Sequence, residues 1–492
     1  MYDSIVMPSH SLNAETNLNL TFPLPYRVLF LVGLGILGWA TNLHGLDFSG
    51  IDPISAFNLW SEGQKARIAS RQMPHGNLVI TSTPYMAIYK IFFVYMAFCI
   101  ASWTIYRSCT KGDDVLVDAF GYIPLVTILV IIIFLVCPMS VPLKYEREKF
   151  LNALGRCVLP SSHSPIEFSD VVFADIATSF AKVFGDFWLS ALMLLPGNTL
   201  LAAPPEEGWQ RWILPTIMSF PYLLRFRQCL IEYSSPPNAT RRPLYNAIKY
   251  ATAFPVIFLS AAQKGPSRLE NRLHGDGFSI QYWPGTFRLW LIATIINSSY
   301  SFWWDVTNDW GLDLLQKGQR QTESVHRRTP PRQLLLPRLQ FHSHTSPLGR
   351  TSNDSAAPDI STEGQRQSNQ ATGTGTRPHP WGLRSVLLFP LPVYPLLVFL
   401  NLILRMTWSI KLSSHLYSVT DGSAGIFWLE VAEILRRWLW VFLRVEWELI
   451  KGAQNGTSKG RANSNGADPH EDYTISALPV SVPRYFFIKF SP

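Results

Sequence analysis

Charge is scarce in this chain. Only 15% of its 492 residues are Asp, Glu, Lys or Arg, against 47% hydrophobic, and the mean hydropathy is +0.11, which excludes an ordinary soluble domain of this length. The five cysteines, at 99, 109, 137, 157 and 229, are scattered and odd in number with no CxxC, so neither a disulfide framework nor a metal site is indicated. HExxH, GxSxG and P-loop motifs are missing, and the histidines at 274, 326, 342 and 344 fall in polar loops; no enzyme chemistry and no cofactor is expected. No Lys or Arg occurs before Arg27, so the basic start of a secretory leader is lacking and the first apolar run reads as a retained span.

What is abundant points to a membrane. Aromatic residues make up 13% of the chain and 17 are Trp, a residue that gathers at membrane interfaces. Apolar runs at 23–42, 85–106, 120–139, 171–195, 212–224, 245–262, 287–304, 386–403 and 426–449 predict an all-α polytopic bundle of about nine to ten transmembrane helices. Residues 144–156 mix charges with apolar groups at helical spacing, as an interfacial helix does. The chain divides into a polar segment 1–25, a first helical region 26–165, a second 166–315, an insertion 316–380, last helices 381–450 and a polar tail 451–492. The insertion is rich in Ser, Thr, Arg, Gln, Pro and Gly, the composition of disorder. Alternate loops hold most of the Lys and Arg, which by the positive-inside bias puts the N-terminus in the lumen. The net charge of +8 is read as topology and substrate, with no nucleic-acid partner.

Chemistry concentrates where charges meet apolar helices. Asp305 and Asp309, four residues apart at the end of an apolar run, share a helix face, and ionisable groups there usually face a cavity, a partner or a substrate path. Opposite charges come from Lys249, Arg405, Arg436 and Arg437. Snorkelling to the headgroups is the bland reading for Arg225, Arg227 and Arg405 near span ends. It suits Arg436 and Arg437 less well, since apolar residues flank them on both sides. Two guanidiniums in one apolar helix need anions: Asp175, Asp305, Asp309, Glu430, Glu433, or a bound anionic substrate such as phosphate, whose oxygens accept paired Arg donors. A purely structural ion-pair network stays open, as does a helix-capping role for Asp175. The tryptophans beside Asp305 fit an interfacial belt. Among the glycosylation sequons, Asn19-Leu-Thr21 is the one expected to be usable.

Several stretches together resemble a known family: FADIATS (173–179), LLRFRQCLIEY (223–233), NAIKYATAFP (246–255), SSYSFWWDVTNDWGL (298–312), LILRMTW (402–408), EILRRWLWVFLRVEWE (433–448) and more loosely DYTISALPV (472–480). They resemble the EXS-domain proteins, which include eukaryotic phosphate exporters and fungal Golgi proteins named for defective retention of ER lumenal proteins. The resemblance implies a phosphate path lined or gated by Asp175, Arg225, Lys249, Tyr250, Asp305, Asp309, Arg405, Trp408, Arg436 and Arg437. The exporters carry a cytosolic SPX sensor before their first span. Only about 25 residues precede it here, which is similar to the Golgi subgroup. SPX-bearing members keep their N-terminus in the cytosol, against the charge bias above, so orientation is open.

The function this implies is return of lumenal phosphate to the cytosol across the Golgi membrane, in support of glycosylation and of retention of glycosyltransferases and ER residents. The alternative is a sorting adaptor that binds glycosyltransferases or coat factors without transport; ER or plasma membrane are the alternative locations. Expected partners are inorganic phosphate, membrane lipids and Golgi glycosyltransferases or their coat adaptors, with a homodimer also open.

Overall fold

The structure, a computed structural model, describes residues 18–57, 84–137, 143–159, 166–201, 204, 208–235, 240–263, 285–312, 383–384, 387–412 and 423–463. The expected disordered insertion at 316–380, the DYTISALPV stretch and the tail beyond 463 lie outside them. The chain forms two compact units, Met1–Gly311 with Val386–Pro492, and Leu312–Ser385; of the second, residues 312, 383 and 384 are described. The described helices all belong to the first unit.

The described residues form helices and no strand, in line with the all-α expectation. Three stretches are long and apolar enough to cross a membrane: Leu24–Phe48, Tyr85–Thr110 and Asp114–Val136. The first is α1, which carries Pro25 in its opening turn, where the missing N–H costs nothing. The second is α2 (Pro84–Thr110). The third combines α3 (Asp114–Ala119), capped by Asp113 through a 3.1 Å bond from the Val115 N–H, with α4 (Tyr122–Val136). Phe93, Val94, Ile105 and Ile133 are exposed on them, as side chains that face lipid are. Next comes α5 (Lys144–Val158), the amphipathic segment, and its buried Arg147 donates to the Cys137 carbonyl at 2.8 Å. That closes a terminal carbonyl of the α4 span, which lipid could not satisfy.

The remaining helices are shorter, interrupted or charged. The run expected at 171–195 breaks at Phe180 into α6 (Phe168–Ser179) and α7 (Ala181–Met193). The run at 212–224 continues into the charged LRFRQ sequence as α8 (Ile213–Ser234) and holds Pro221 inside, which withholds a hydrogen bond from the Ile217 carbonyl. The run at 245–262 breaks at Thr252 into α9 (Arg242–Ala251) and α10 (Ala253–Gln263). Helix α11 (Gly285–Trp304) passes into one π-helical turn, Asp305–Asp309, closed by a 2.9 Å bond from the Trp310 N–H to the Asp305 carbonyl, five residues back. Then follow α12 (Val393–Leu412), starting seven residues later than the apolar run, and α13 (Ser423–Asn463), which outlasts its apolar stretch by more than three turns.

Helix α13 packs against α1, α6, α12 and the π turn, while α8 packs against α6, α7 and α9. Interrupted helices are tolerated at membrane depth only where the freed backbone is buried in protein or lines a polar cavity. Here the breaks in α6–α7 and α9–α10 both fall beside such a cavity.

Candidate functional site

Thr178 and Ser179 are the last two residues of α6, just before its break, and Lys249 and Tyr250 lie in the last turn of α9, just before Ala251 ends it. The Thr252 hydroxyl at the second break lies 2.7 Å from the Lys249 carbonyl and 2.9 Å from Asn297 Oδ1. These helix ends bring their side chains to α13, whose Glu433, Arg436 and Arg437 face inward.

The acidic pair is joined as its spacing suggested. Lys249 Nζ lies 3.0 Å from Asp305 Oδ1 and 3.2 Å from Asp309 Oδ2, and the π turn keeps both carboxylates on the Lys249 side. Asp305 is completely buried. Its other oxygen takes the Arg405 guanidinium and lies 3.7 Å from Arg436 Nη1. Asp175 accepts from Arg225 Nε at 2.7 Å and from the Tyr250 hydroxyl. It sits inside α6, which is capped at Glu167, so the capping role is overturned. Arg225 and Arg405 are buried in these pairs, which overturns snorkelling for both. The exposed Arg227 donates instead to the Val158 carbonyl at 2.8 Å.

The two arginines of α13 are not equivalent. Arg436 holds Glu433 through two bonds, Nη2 to Oε1 at 2.6 Å and Nε to Oε2 at 2.9 Å, and donates to Asn401 Oδ1 at 3.1 Å. Arg437 has no carboxylate within ion-pair distance among the described residues. It donates to hydroxyls, Nε to Ser179 at 2.9 Å and Nη2 to Thr178 at 3.1 Å, and its charge lies 4.7 Å from the Trp440 ring centre. Its buried Nη1 has no hydrogen-bond partner among the described residues.

A cavity of about 30 Å³, measured at the centre of a water-sized sphere, opens among Lys249, Arg405, Arg436, Arg437 and Glu433, with Thr178, Tyr222, Tyr250, Asn297 and Ser301 completing its wall. That exceeds the roughly 10–15 Å³ needed for one water, so the cavity has room for a small polar guest. Five buried cations (Arg225, Lys249, Arg405, Arg436, Arg437) face four buried carboxylates (Asp175, Asp305, Asp309, Glu433), a formal excess of one positive charge. Among the described residues no group of three His, Cys, Asp or Glu is arranged to hold a metal ion.

Of the ten residues expected on the path, Lys249, Tyr250, Arg405, Arg436 and Arg437 line the cavity. Asp175, Arg225, Asp305 and Asp309 stand behind them and hold their side chains. Trp408 lies on α12, but its side chain is outside the described residues. The tryptophan belt does not hold for Trp304 and Trp310, which are 2% and 1% exposed and so pack inside the protein. Asn19 is also committed, its side-chain nitrogen donating to the Leu201 carbonyl at 3.3 Å, so the usable sequon is half-buried and occupied.

Charge-based reading missed Thr178, Ser179, Tyr222, Asn297, Ser301 and Asn401, because neutral hydroxyls and amides are common in apolar helices. One further signal was available. Glu430, Glu433, Arg437, Trp440, Arg444, Trp447 and Lys451 recur at alternating intervals of three and four, which places them along one face of α13.

An all-helical membrane protein with a small buried site biased toward an anion is the class these features define. The EXS family model matches residues 22–450, and the chain belongs to that family. It is 26% identical over 441 residues to Protein ERD1 homolog 1 of Schizosaccharomyces pombe, covering 87% of this chain and 91% of that protein. Protein ERD1 of Kluyveromyces lactis is 28% identical over 300 residues, 59% of this chain and 61% of that one. Human Solute carrier family 53 member 1 is 28% identical over 197 residues, 37% of this chain and 26% of that protein.

Proposed function

We propose that the chain carries inorganic phosphate across the Golgi membrane, returning lumenal phosphate to the cytosol and so supporting glycosylation and the retention of glycosyltransferases and ER residents. The observation that carries this reading is Arg437, a buried guanidinium on the cavity wall with no carboxylate at ion-pair distance among the described residues and with hydroxyls alone as its side-chain acceptors. A buried charge lacking a counter-charge costs several kcal/mol, so the site favours an incoming anion. Phosphate oxygens accept the paired donors of arginine, lysine adds a point charge, and Ser301 and Asn297 add polar side chains to the wall.

Tight binding would defeat transport, because the anion must also leave. The carboxylates behind the cations temper the positive potential, and Glu433 reaches the cavity itself. The resemblance of the sequence motifs to the fungal Golgi subgroup is the ground for the Golgi location, and similarity to a human protein named as a solute carrier supports transport. The test is uptake of labelled phosphate by liposomes containing the purified full chain. Uptake above protein-free liposomes is expected; folded protein that moves no phosphate would overturn the reading in favour of a non-transporting sorting adaptor.

A further inference from the structure

The inward-facing ladder of α13 does not end at the cavity. Beyond Arg437 it continues through Trp440 to Arg444 and on to Trp447 and Lys451, where the apolar stretch ending near residue 449 gives way to a polar sequence. Arg444 is only 9% exposed. Its Nη1 donates to Glu448 Oε2 at 2.7 Å, and the Lys451 ammonium lies 3.6 Å from the same oxygen. Arg242, at the start of α9, donates to the Asn308 carbonyl at 2.8 Å. Its charge and that of Arg444 act on Lys451. Two cations therefore hold Glu448, and the charge of Arg242 bears on it from farther off, with one further carboxylate at the edge: Asp309 Oδ1, 4.0 Å from Arg444 Nε. That carboxylate is shared, since Asp309 Oδ2 holds Lys249 on the cavity wall.

We propose that Arg242, Arg444 and Lys451 form a second anion site at one mouth of the path, where a phosphate group displaces the Glu448 carboxylate. The proposal rests on the transport reading above. Glu448 holds the place that such an anion would take, and its half-exposed carboxylate can swing into water at little cost. The buried partners of the cavity cannot. Asp309 then joins the two sites, because any shift of Arg444 toward a bound anion loosens its hold on Asp309 and so alters the pairing of Lys249. Burial and the two arginines push the Lys451 ammonium down to about 8, as expected where positive charge is under-compensated.

Both free phosphate and a lipid phosphate headgroup have the chemistry this mouth would take, and a lysine-directed acylating reagent separates them. The full chain is placed in phosphatidylcholine nanodiscs, and acylation of Lys451 is followed by mass spectrometry, with the exposed Lys144 as internal reference. Inorganic phosphate is expected to slow Lys451 several-fold relative to Lys144, at lower concentration in Glu448→Gln, while chloride of equal ionic strength leaves the ratio unchanged. Slowing by nanodiscs containing a phosphoinositide, without free phosphate, would assign the mouth to a lipid headgroup. Equal slowing by chloride, or none by either phosphate source, would overturn the site.

A second measurement ties the mouth to transport. In liposomes, Arg242→Gln and Lys451→Gln should raise the half-saturating phosphate concentration several-fold more than they lower the maximal rate, and Lys144→Gln should change neither. Unshifted half-saturation in both mouth variants would overturn the link. Wild-type protein without flux but with phosphate-protected Lys451 would count against the transport reading and leave the mouth site standing.

Discussion

Arg437 Nε donates to the Ser179 hydroxyl at 2.9 Å, and that hydroxyl donates onward to Glu433 Oε1 at 2.7 Å. One small side chain at the end of α6 thus bridges Arg437 and Glu433, a cation and a carboxylate of the cavity wall. Ser179→Ala removes both bonds and brings buried charged groups closer to being unsatisfied, at a cost of about 1–3 kcal/mol. The expected result is a lower unfolding temperature in detergent together with a changed phosphate affinity; a variant matching wild type in both would show the bridge to be incidental.

Asp305 serves Lys249, Arg405 and Arg436 at once. Asp305→Asn leaves those cations without their shared carboxylate, and breaking a buried pair from one side costs about 3–5 kcal/mol. Poor yield of folded protein is expected. Adding Arg405→Met removes one orphaned cation and should recover part of the loss, so a double-mutant cycle on thermal stability should give a coupling well above measurement error. Additive losses would contradict the pairing.

Gly311 follows the π turn with a φ of 62°, in the left-handed region that a side chain disfavours by about 1–2 kcal/mol. The Trp447 ring occupies the space a Cβ would need. Gly311→Ala should therefore destabilise the fold and disturb Asp309, two residues earlier. Combining it with Trp447→Ala relieves the clash but not the backbone strain, so partial rescue is expected, and full rescue would show that the backbone conformation costs nothing.

Lys451 should react at unusually low pH. An ordinary lysine amine is half deprotonated near pH 10.4, whereas this one is held down to about 8 by burial and by Arg242 and Arg444. The neutral amine is the nucleophile, so acylation of Lys451 should climb through about pH 8, well below the profile of a free lysine amine acylated alongside it. Parallel profiles for Lys451 and the free amine would remove the electrostatic argument for the mouth.

Much of the charge architecture was legible in the sequence. Asp305 and Asp309 share a partner because their spacing puts them on one side of a helical turn, and Arg436 and Arg437 are buried because apolar residues flank them. The division of labour was not legible. Sequence gives no sign that Arg436 is held by Glu433 one turn away while Arg437 is left to two hydroxyls, since that depends on how α6 packs against α13. Hydropathy marked the runs near Phe180 and Thr252 as continuous. The second break had a local signal, since Pro255 has no N–H for the Ala251 carbonyl four residues back, and the Thr252 hydroxyl is held there by Asn297; Phe180 carries no such signal. Trp304 and Trp310 misled for a related reason, while the neighbouring Trp303 is exposed: an indole suits an interface, but it also fills a core.

Initial phosphate flux through liposomes carrying Arg437→Gln, compared with wild type and Arg437→Lys at matched protein content, tests the central claim most directly. Loss of most flux in Arg437→Gln, with partial retention in Arg437→Lys and an unchanged monodisperse elution profile, is the predicted result. Wild-type flux in a folded Arg437→Gln would contradict the account, since a buried cation on the cavity wall with no carboxylate at ion-pair distance among the described residues would then be unnecessary to the passage of the anion.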